Sequence, residues 1–298
     1  MIQVSDSPPS PPDLQHSLRP TPFLQTLAIP VWSSPATQVI AVSSRLLPDE
    51  DCLHAMLTVD SVVKTFGRRA AVDRISFELT TGEVLGFLGP NGAGKTTVMR
   101  MIAGRLEPDS GKVRVGAHDM IQDRRAGQRL VGYLPEGAPA YRTMTPREFV
   151  SFCLSVRGYS GSALRVARER ALDRARLGCE ANQQIGTLSK GYNRRAALAA
   201  AMAHDPPLLV LDEPTDGLDP NQKHEVRALI REMAMDKAII VSTHILEEVP
   251  AVCSRVIVIN KGRIVVDESP DEFSGRARSG RLEEAFRSLT RTAAEAAK

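Results

Sequence analysis

The fold of this chain is decided by the stretch Gly89-Pro90-Asn91-Gly92-Ala93-Gly94-Lys95-Thr96-Thr97. It fits the pattern Gly-x-x-x-x-Gly-Lys-Ser/Thr, in which the backbone N–H groups of a glycine-rich loop surround phosphate oxygens. An apolar run at 84–88 precedes the loop and another at 98–103 follows it. A buried strand that turns into a helix is the context that a phosphate loop requires, and an incidental glycine-rich turn would need neither element. The sequence therefore predicts a phosphate site.

Two side chains of this loop have predicted roles toward a nucleotide. We expect the Lys95 ammonium group to reach the β- and γ-phosphates, and the Thr96 hydroxyl to ligate Mg²⁺. The N-terminus of the following helix adds a partial positive charge. All nine residues from Gly89 to Thr97 are predicted to contact the nucleotide.

Composition limits the class of protein. With 298 residues, 42% of them hydrophobic, the chain can form one or two globular domains. The net charge is only +3, with one Trp and four Tyr, so no nucleic-acid partner is expected. The four cysteines are widely separated and form no C-x-x-C pair, which argues against a disulfide scaffold or a zinc site. No apolar run of about 18 residues occurs, so the chain is not expected to span a membrane itself.

Residues 1–55 differ from the rest of the chain. They contain nine of its 20 prolines and no sustained hydrophobic period, so we predict a disordered segment. A secretory signal at 23–42 is the alternative, but Pro30 and Pro35 interrupt it and no basic cluster precedes it. We expect the folded part to begin at Met56, and we hypothesise that Met56 is the translational start. Peptides from residues 1–50 in mass spectrometry of the native protein would contradict that hypothesis.

Two predicted strands, near residues 57–63 and 75–79, lead into the loop as an antiparallel pair. Phe66 lies between them, where an aromatic ring could stack on a purine. The alternative is that Phe66 is an ordinary core residue.

A second candidate site follows the apolar run at 208–211. Asp212 and Glu213 stand at the carboxyl end of this predicted buried strand, the side of an α/β sheet where ligands bind. Asp212 suits Mg²⁺ binding, and Glu213 suits polarising the water that attacks the γ-phosphate. A solvated acidic turn is the alternative, although the rigid loop at 214–220 adds a further acid, Asp219. His244 ends another apolar run and is either structural or a γ-phosphate sensor.

Residues 137–206 are predicted to be helical, at 146–156, 162–177 and 193–203. Ser189 is a good N-cap for the last helix, whose start is a second potential anion site. Two such sites far apart in the sequence do not easily serve one nucleotide within one chain. The arginine-rich segment 165–176 is interpreted as a solvated helix face, with a membrane-facing surface as the alternative.

Taken together, these segments resemble the nucleotide-binding subunit of an ATP-binding cassette (ABC) transporter over about residues 56–272. The matching segments are the Walker A loop at 89–97, the Walker B strand at 208–213, the signature at 188–192, the D-loop at 217–220, the switch histidine His244, the A-loop aromatic Phe66 and the Q-loop at 131–136.

The resemblance implies a role for each matching residue. Catalytic roles are implied for Glu213, His244 and Lys95, and Mg²⁺ ligands at Thr96, Glu136 and Asp212. Nucleotide contacts are implied for Phe66, the loop 89–97 and Asp219 and, on a partner's nucleotide, for Ser189 and Gly191.

The resemblance also implies an α/β fold of the P-loop NTPase (RecA-like) type. Its parts are a mostly parallel core sheet, an N-terminal antiparallel β subdomain and an inserted α-helical subdomain. The expected domains are a proline-rich extension at 1–55, an ATPase domain at 56–275 with its helical insertion at about 137–206, and a short C-terminal helix and tail at 276–298.

ATP and Mg²⁺ are the expected cofactors. Two such subunits are expected to pair head to tail, as a homodimer or a heterodimer. They would drive a separately encoded integral membrane permease from the cytoplasmic face of the cell membrane.

Two features depart from the family pattern. The signature usually reads Leu-Ser-Gly-Gly-Gln, but Lys190 and Tyr192 replace two of those residues here, and Glu136 replaces the Q-loop glutamine. These changes resemble the ABC-2 branch of exporters. One alternative is a soluble ABC ATPase acting on DNA or ribosomes, but no coiled-coil insertion or second cassette is visible. Another is a regulatory nucleotide-binding module without turnover.

Overall fold

A computed structural model describes residues 55–277 and 281–295. The segment predicted to be disordered, except for Ala55, lies outside these residues, as does the hypothesis on the translational start. In chain order the strands and helices are β1 (Ala55–Phe66), β2 (Arg69–Thr80), β3 (Val84–Leu88), α1 (Lys95–Ile102), β4 (Ser110–Val115), β5 (His118–Asp119), α2 (Arg124–Arg129), β6 (Val131–Leu134), α3 (Pro146–Val156), α4 (Gly161–Arg174), α5 (Lys190–Met202), β7 (Leu208–Asp212), α6 (Pro220–Met233), β8 (Ala238–Ser242), α7 (Val249–Val252), β9 (Arg255–Asn260), β10 (Arg263–Glu268), α8 (Pro270–Gly275) and α9 (Leu282–Glu295).

The larger sheet places the glycine loop at its carboxyl edge. Its strand order within the described residues is β10-β9-β3-β8-β7-β6, and all neighbours are parallel except the β9–β10 hairpin. Every residue of β3, β7 and β8 is buried, because helices or a second sheet cover both faces and the strands are therefore continuously apolar. Asp212 pairs with Ser242 in register, so β7 and β8 end side by side next to the loop that leaves β3.

The two faces of this sheet belong to two hydrophobic clusters. Along β3, Leu85 and Phe87 pack into a cluster with the N-terminal strands and α1, whereas Val84 and Leu88 pack into a cluster with the helices of residues 146–202. This alternation is the period of two that a strand imposes on its side chains. The arrangement confirms the predicted α/β class with a mostly parallel core sheet.

The smaller sheet is antiparallel, in the order β2-β1-β4-β5. Strands β1 and β2 each span 12 residues and are longer than predicted. They continue through polar positions because the pair Phe66 and Arg69 closes a tight hairpin, in which Gly67 has a φ of +60°. Strand β1 begins at Ala55, one residue before the expected start.

The helical segment follows the prediction closely, with differences at the ends. Helix α4 ends at Arg174 rather than at residue 177, because Arg176 has a φ of +51° that a helix cannot accommodate. Helix α5 begins at Lys190 rather than at residue 193, because the Ser189 hydroxyl caps it by accepting a hydrogen bond from Tyr192 N at 3.4 Å. The division into domains at 137–206 and at 275 stays a prediction.

The C-terminal helix packs onto the main cluster through Leu282 and Ala285, and its backbone continues to Glu295. Among the described residues no helix is long and apolar enough to cross a membrane.

Candidate nucleotide site

The backbone of the glycine loop leaves no room for side chains at two positions. Gly94 has a φ of +114°, and a Cβ atom there would lie 2.4 Å from the carbonyl oxygen of Ala71. A Cβ atom on Gly89 would lie 2.4 Å from the carbonyl oxygen of Ile259. Because both obstacles are backbone atoms, only glycine fits, and the loop can bring its N–H groups close to a ligand. Helix α1 begins directly after Gly94, with its N-terminus at the loop.

Lys95 holds the two ends of the loop together. Its side chain is buried, and Nζ donates hydrogen bonds to the carbonyl oxygens of Gly89 at 2.6 Å and of Pro90 at 3.3 Å. Burial lowers the pKa of the Lys95 ammonium group, and the nearby carboxylates of Glu213, Asp212 and Glu136 oppose that shift. The ammonium group therefore faces three carboxylates, which makes the site favourable for a ligand that brings negative charge and a cation together.

A cavity of about 530 Å³ opens beside the loop, within the size range of small-molecule sites. It brings together predicted site residues from distant parts of the sequence. Its lining residues are Phe66, Arg69, Ala71, Asn91, Gly92, Gly94, Lys95, Thr96, Thr97, Glu136, Asp212 and Glu213. The other predicted loop residues, Gly89, Pro90 and Ala93, are not among the residues that line it.

Phe66 forms one wall of the cavity. Its side chain is 53% exposed, which excludes the alternative of an ordinary core residue. The strand that carries it is fixed by Asp109, whose carboxylate accepts hydrogen bonds from Lys64 Nζ and from the backbone N of Thr65, each at 2.7 Å. An exposed ring on a fixed strand is suited to stacking on a flat base.

Asp212 lines the cavity and has one carboxylate oxygen without a hydrogen-bond partner among the described residues. The residue is 2% exposed, and Ser242 Oγ donates a short hydrogen bond to Oδ1. The other oxygen, Oδ2, is buried and has no hydrogen-bond partner within the described part of the chain. A buried carboxylate oxygen without a partner is unfavourable unless a cation or a donor binds it. Thr96 and Glu136 line the same cavity, and their hydroxyl and carboxylate groups, like that of Asp212, are oxygen ligands of the kind that Mg²⁺ prefers.

Glu213 has an unusual backbone conformation at the end of β7. Its φ is +52°, a region that non-glycine residues occupy at a cost of roughly 1–3 kcal/mol. Its backbone N donates to Ser242 Oγ at 3.1 Å, and its carboxylate oxygen Oε1 lies 3.0 Å from Nδ1 of His244. Such strain is concentrated at functional sites, and here it directs the carboxylate into the cavity. His244 contacts Glu213 but does not line the cavity itself.

The residues of the signature and of the D-loop are not at this cavity. Ser189 caps α5, Gly191 lies buried against Gln222, and Asp219 caps α6 by accepting a hydrogen bond from the backbone N of Gln222 at 2.9 Å. Of the described residues that line the cavity, none comes from 188–192 or from 217–220. One chain therefore does not bring its two predicted anion sites together.

Three residues at the site were not predicted. Arg69 lines the cavity and donates to the carbonyl oxygen of Gly92 at 3.2 Å. Ser242 connects Asp212 to the backbone of Glu213, and Arg194 donates to the carbonyl oxygens of Asp212 and Glu213. Pairing of β7 with β8 could have pointed to Ser242, and the hairpin at Gly67 could have pointed to Arg69. No sequence pattern pointed to Arg194.

A strand that runs through a glycine loop into a helix, beside a neighbouring strand that ends in an acid, defines a P-loop NTPase. Comparison with known proteins gives the family. A family model described as "ABC transporter" matches residues 72–216. The chain is 36% identical over 209 residues to an uncharacterized ABC transporter ATP-binding protein, YxlF, of Bacillus subtilis (strain 168). This match covers 70% of the present chain and 69% of YxlF. The chain is also 36% identical over 218 residues to the Nod factor export ATP-binding protein I of Paraburkholderia xenovorans (strain LB400), covering 73% and 72%.

Among solved structures, cbiO1 from Clostridium perfringens, part of the ABC transporter complex cbiONQ, has a TM-score of 0.68 at 26% identity and covers 79% of this chain and 94% of that one. The chain belongs to the ABC transporter family of ATP-binding proteins. The resemblance in the motifs is thereby confirmed, and the chain is the nucleotide-binding ATPase subunit of a transporter. Neither a soluble ATPase nor a regulatory module is supported.

Proposed function

We propose that this chain binds MgATP in the cavity beside Lys95, hydrolyses it with Glu213 as the base, and powers export through a separately encoded membrane permease. The observation that supports this proposed binding and hydrolysis of ATP is that one cavity is lined by Phe66, Lys95, Asp212 and Glu213. The names of the Nod factor export relatives support export rather than import as the direction of transport.

In the proposed complex the adenine stacks on Phe66 and the phosphates occupy the glycine loop. Lys95 exchanges its backbone hydrogen bonds at Gly89 and Pro90 for the β- and γ-phosphate oxygens. Thr96, Glu136 and Asp212 would hold Mg²⁺, which neutralises charge on the phosphates when it is bound.

Glu213 takes the proton of the water that attacks the γ-phosphorus, which is the step its position supports. Nδ1 of His244 lies 3.0 Å from Oε1 of Glu213 and, as the donor of that contact, holds the carboxylate in place. A hydrogen bond from the other ring nitrogen to the γ-phosphate would require the doubly protonated ring, because a singly protonated ring that donates from Nδ1 has only an acceptor at Nε2.

A second subunit completes the site. The start of α5 bears Ser189 at the surface, and it lies outside the cavity of its own chain. In a head-to-tail dimer, Ser189 and Gly191 of one chain would contact the γ-phosphate bound by the other chain, and Asp219 would lie at the same interface. Both halves of the site are present in this sequence, which supports a homodimer.

The permease has a candidate docking groove on the described surface. The groove has a volume of about 680 Å³ and is lined by Phe149, Phe152 and Val156 of α3, by alanines of α5 and by four arginines, Arg105, Arg125, Arg129 and Arg157. Val156 is 72% exposed. The strand β6 runs along the groove through Tyr133 and Leu134 and continues to Glu136 at the nucleotide cavity. An apolar permease segment with acidic residues would fit this groove and place the subunit on the cytoplasmic face of the membrane.

This docking is tested by membrane fractionation in the native host with the tagged full chain. We expect the wild type to sediment with membranes and with a multi-span membrane protein, and Val156→Glu to remain in the supernatant. Val166→Glu is the matched control, because Val166 is also on an exposed helix surface, at 68%, but does not line the groove. Equal sedimentation of the two variants would contradict the docking surface.

A further inference from the structure

Two basic side chains of α5 hold the segment that follows β7. Lys190 Nζ lies 3.0 Å from Asp216 Oδ2, and its stem crosses Gly217 so closely that a Cβ atom there would lie 2.3 Å from Nζ. One turn further along the helix, Arg194 Nη2 donates to the carbonyl oxygen of Asp212 at 3.1 Å and to that of Glu213. Residues four apart share one helix face, so both side chains act on the same short segment.

Burial of the charged Arg194 side chain is energetically unfavourable unless its contacts compensate for the loss of water. The residue is only 3% exposed, and its Nε has no hydrogen-bond partner among the residues the structure describes. A buried guanidinium is expensive unless charges and acceptors compensate it. Here the acceptors are the two carbonyl oxygens next to the left-handed φ of Glu213, so the guanidinium stabilises the strained turn that directs the carboxylate.

We propose that Lys190 and Arg194 form a clamp, that is, a pair of positioning residues that fix Glu213 relative to the signature helix α5 of the same chain. The proposal rests on the proposed function, since Glu213 must be the base. In the dimer, α5 reaches the partner's nucleotide, so the clamp ties the catalytic carboxylate of one site to the occupancy of the other. Lys190 stands where the usual signature has glycine, and a glycine cannot make this contact.

The clamp is tested by steady-state ATP hydrolysis on the purified full chain. We expect Arg194→Met to lower kcat by on the order of 10- to 100-fold while the KM for ATP changes by less than about 2-fold, because the loop at Lys95 is untouched. Arg194→Lys should recover part of the loss, since it restores a charged donor. Lys190→Met, at a surface position, should lower kcat by roughly 3-fold without loss of folding.

Arg195→Met is the matched control. Arg195 lies next to Arg194 on the same helix and is also buried, but its ion pair is with Glu225 of α6 rather than with the segment after β7. It should lower the melting temperature and leave kcat, per folded molecule, close to that of the wild type. Equal kcat losses in Arg194→Met and Arg195→Met, or an unchanged kcat in Lys190→Met, would overturn the clamp. Failure of the proposed function would appear differently, as a wild-type chain without turnover or a Glu213→Gln variant with full turnover.

Discussion

The two helix N-termini at Lys95 and Lys190 have different surroundings. Helix α1 begins directly after Gly94 and faces a cavity that Phe66, Glu136 and Asp212 also line. Helix α5 begins directly after Ser189, an exposed residue whose hydroxyl is already used as a cap. Either start could accept an anion, but among the described residues only the first is accompanied by the other side chains of the proposed nucleotide site.

This difference separates what one chain can do from what needs a second copy. The α1 site brings together the proposed base, lysine, stacking ring and oxygen ligands on one cavity, so we expect it to bind nucleotide alone. The α5 start is connected to the segment after β7 through Arg194 but does not line the cavity beside Lys95. In the proposed mechanism, one chain therefore binds the nucleotide, whereas turnover requires a second chain.

The largest effect is expected from removing the base of the α1 site. Glu213→Gln keeps the size of the side chain but cannot accept the proton of the attacking water, so phosphate release should fall by about 10² to 10⁴-fold. ATP binding, measured by fluorescence titration with a labelled nucleotide, should stay close to the wild type. Glu247→Gln, at an exposed carboxylate outside the cavity, is the control and should retain turnover. Full turnover in Glu213→Gln would remove its catalytic role.

Mixing two inactive variants tests whether the α5 start serves the neighbouring chain. Lys95→Met damages the α1 site, and Ser189→Ala damages the α5 start. If each nucleotide lies between α1 of one chain and α5 of the other, a mixed dimer has one doubly damaged site and one intact site. An equal mixture should form about half mixed dimers and regain phosphate release well above either variant alone.

The same mixture should be checked for ATP-dependent dimers by size-exclusion chromatography, because loss of the Ser189 cap also costs roughly 1 kcal/mol of helix stability. Dimers that form without any recovered phosphate release would argue that Ser189 acts within its own chain.

Two glycine-to-alanine substitutions, one beside the start of α1 and one beside the start of α5, compare the rigidity of the two helix starts. Gly94→Ala forces a φ of +114° on a side chain whose Cβ meets the backbone oxygen of Ala71, so the free energy of unfolding should fall by about 2–5 kcal/mol. Gly191→Ala meets only the movable amide of Gln222 inside a helix, and its stability should stay within about 1 kcal/mol of the wild type. Urea unfolding measures both. Equal losses would show that the two helix starts are equally rigid.

The parts of the site that lie next to each other in sequence could be predicted, because the loop, the strand before it and the helix after it form one local unit. The shared location of Asp212 and His244 was also predictable. Each lies at or just beyond the carboxyl end of a buried strand, and parallel strands present their carboxyl ends at one edge of a sheet. The family resemblance supplied Glu136, whose position beyond β6 shows no local pattern of its own.

Side-chain contacts between distant helices and loops could not be predicted. Arg194 stands within a helix whose alanine-rich sequence predicts burial, and nothing in its neighbours indicates two carbonyl acceptors on another segment. The left-handed φ of Glu213 could not be predicted from the sequence either, since glutamate is not a residue that favours this conformation. Arg69 reaches the cavity because β1 and β2 extend further than their apolar alternation suggests.

The smallest expected effect concerns the strand that presents Phe66 to the α1 site. The hydrogen bonds from Lys64 and Thr65 hold the pKa of the Asp109 carboxyl well below its ordinary value of 3.8. A carboxylate with a lowered pKa in the folded state stabilises the protein above pH 3.8, and that contribution is lost as the pH falls from there toward the folded-state value. Asp109→Asn should therefore lower the melting temperature at pH 7 by less than Gly94→Ala does and raise the KM for ATP roughly 2-fold. Its difference from the wild type should shrink as unfolding is followed from pH 7 to below pH 4, and a difference independent of pH would mean that Asp109 acts through its shape rather than its charge.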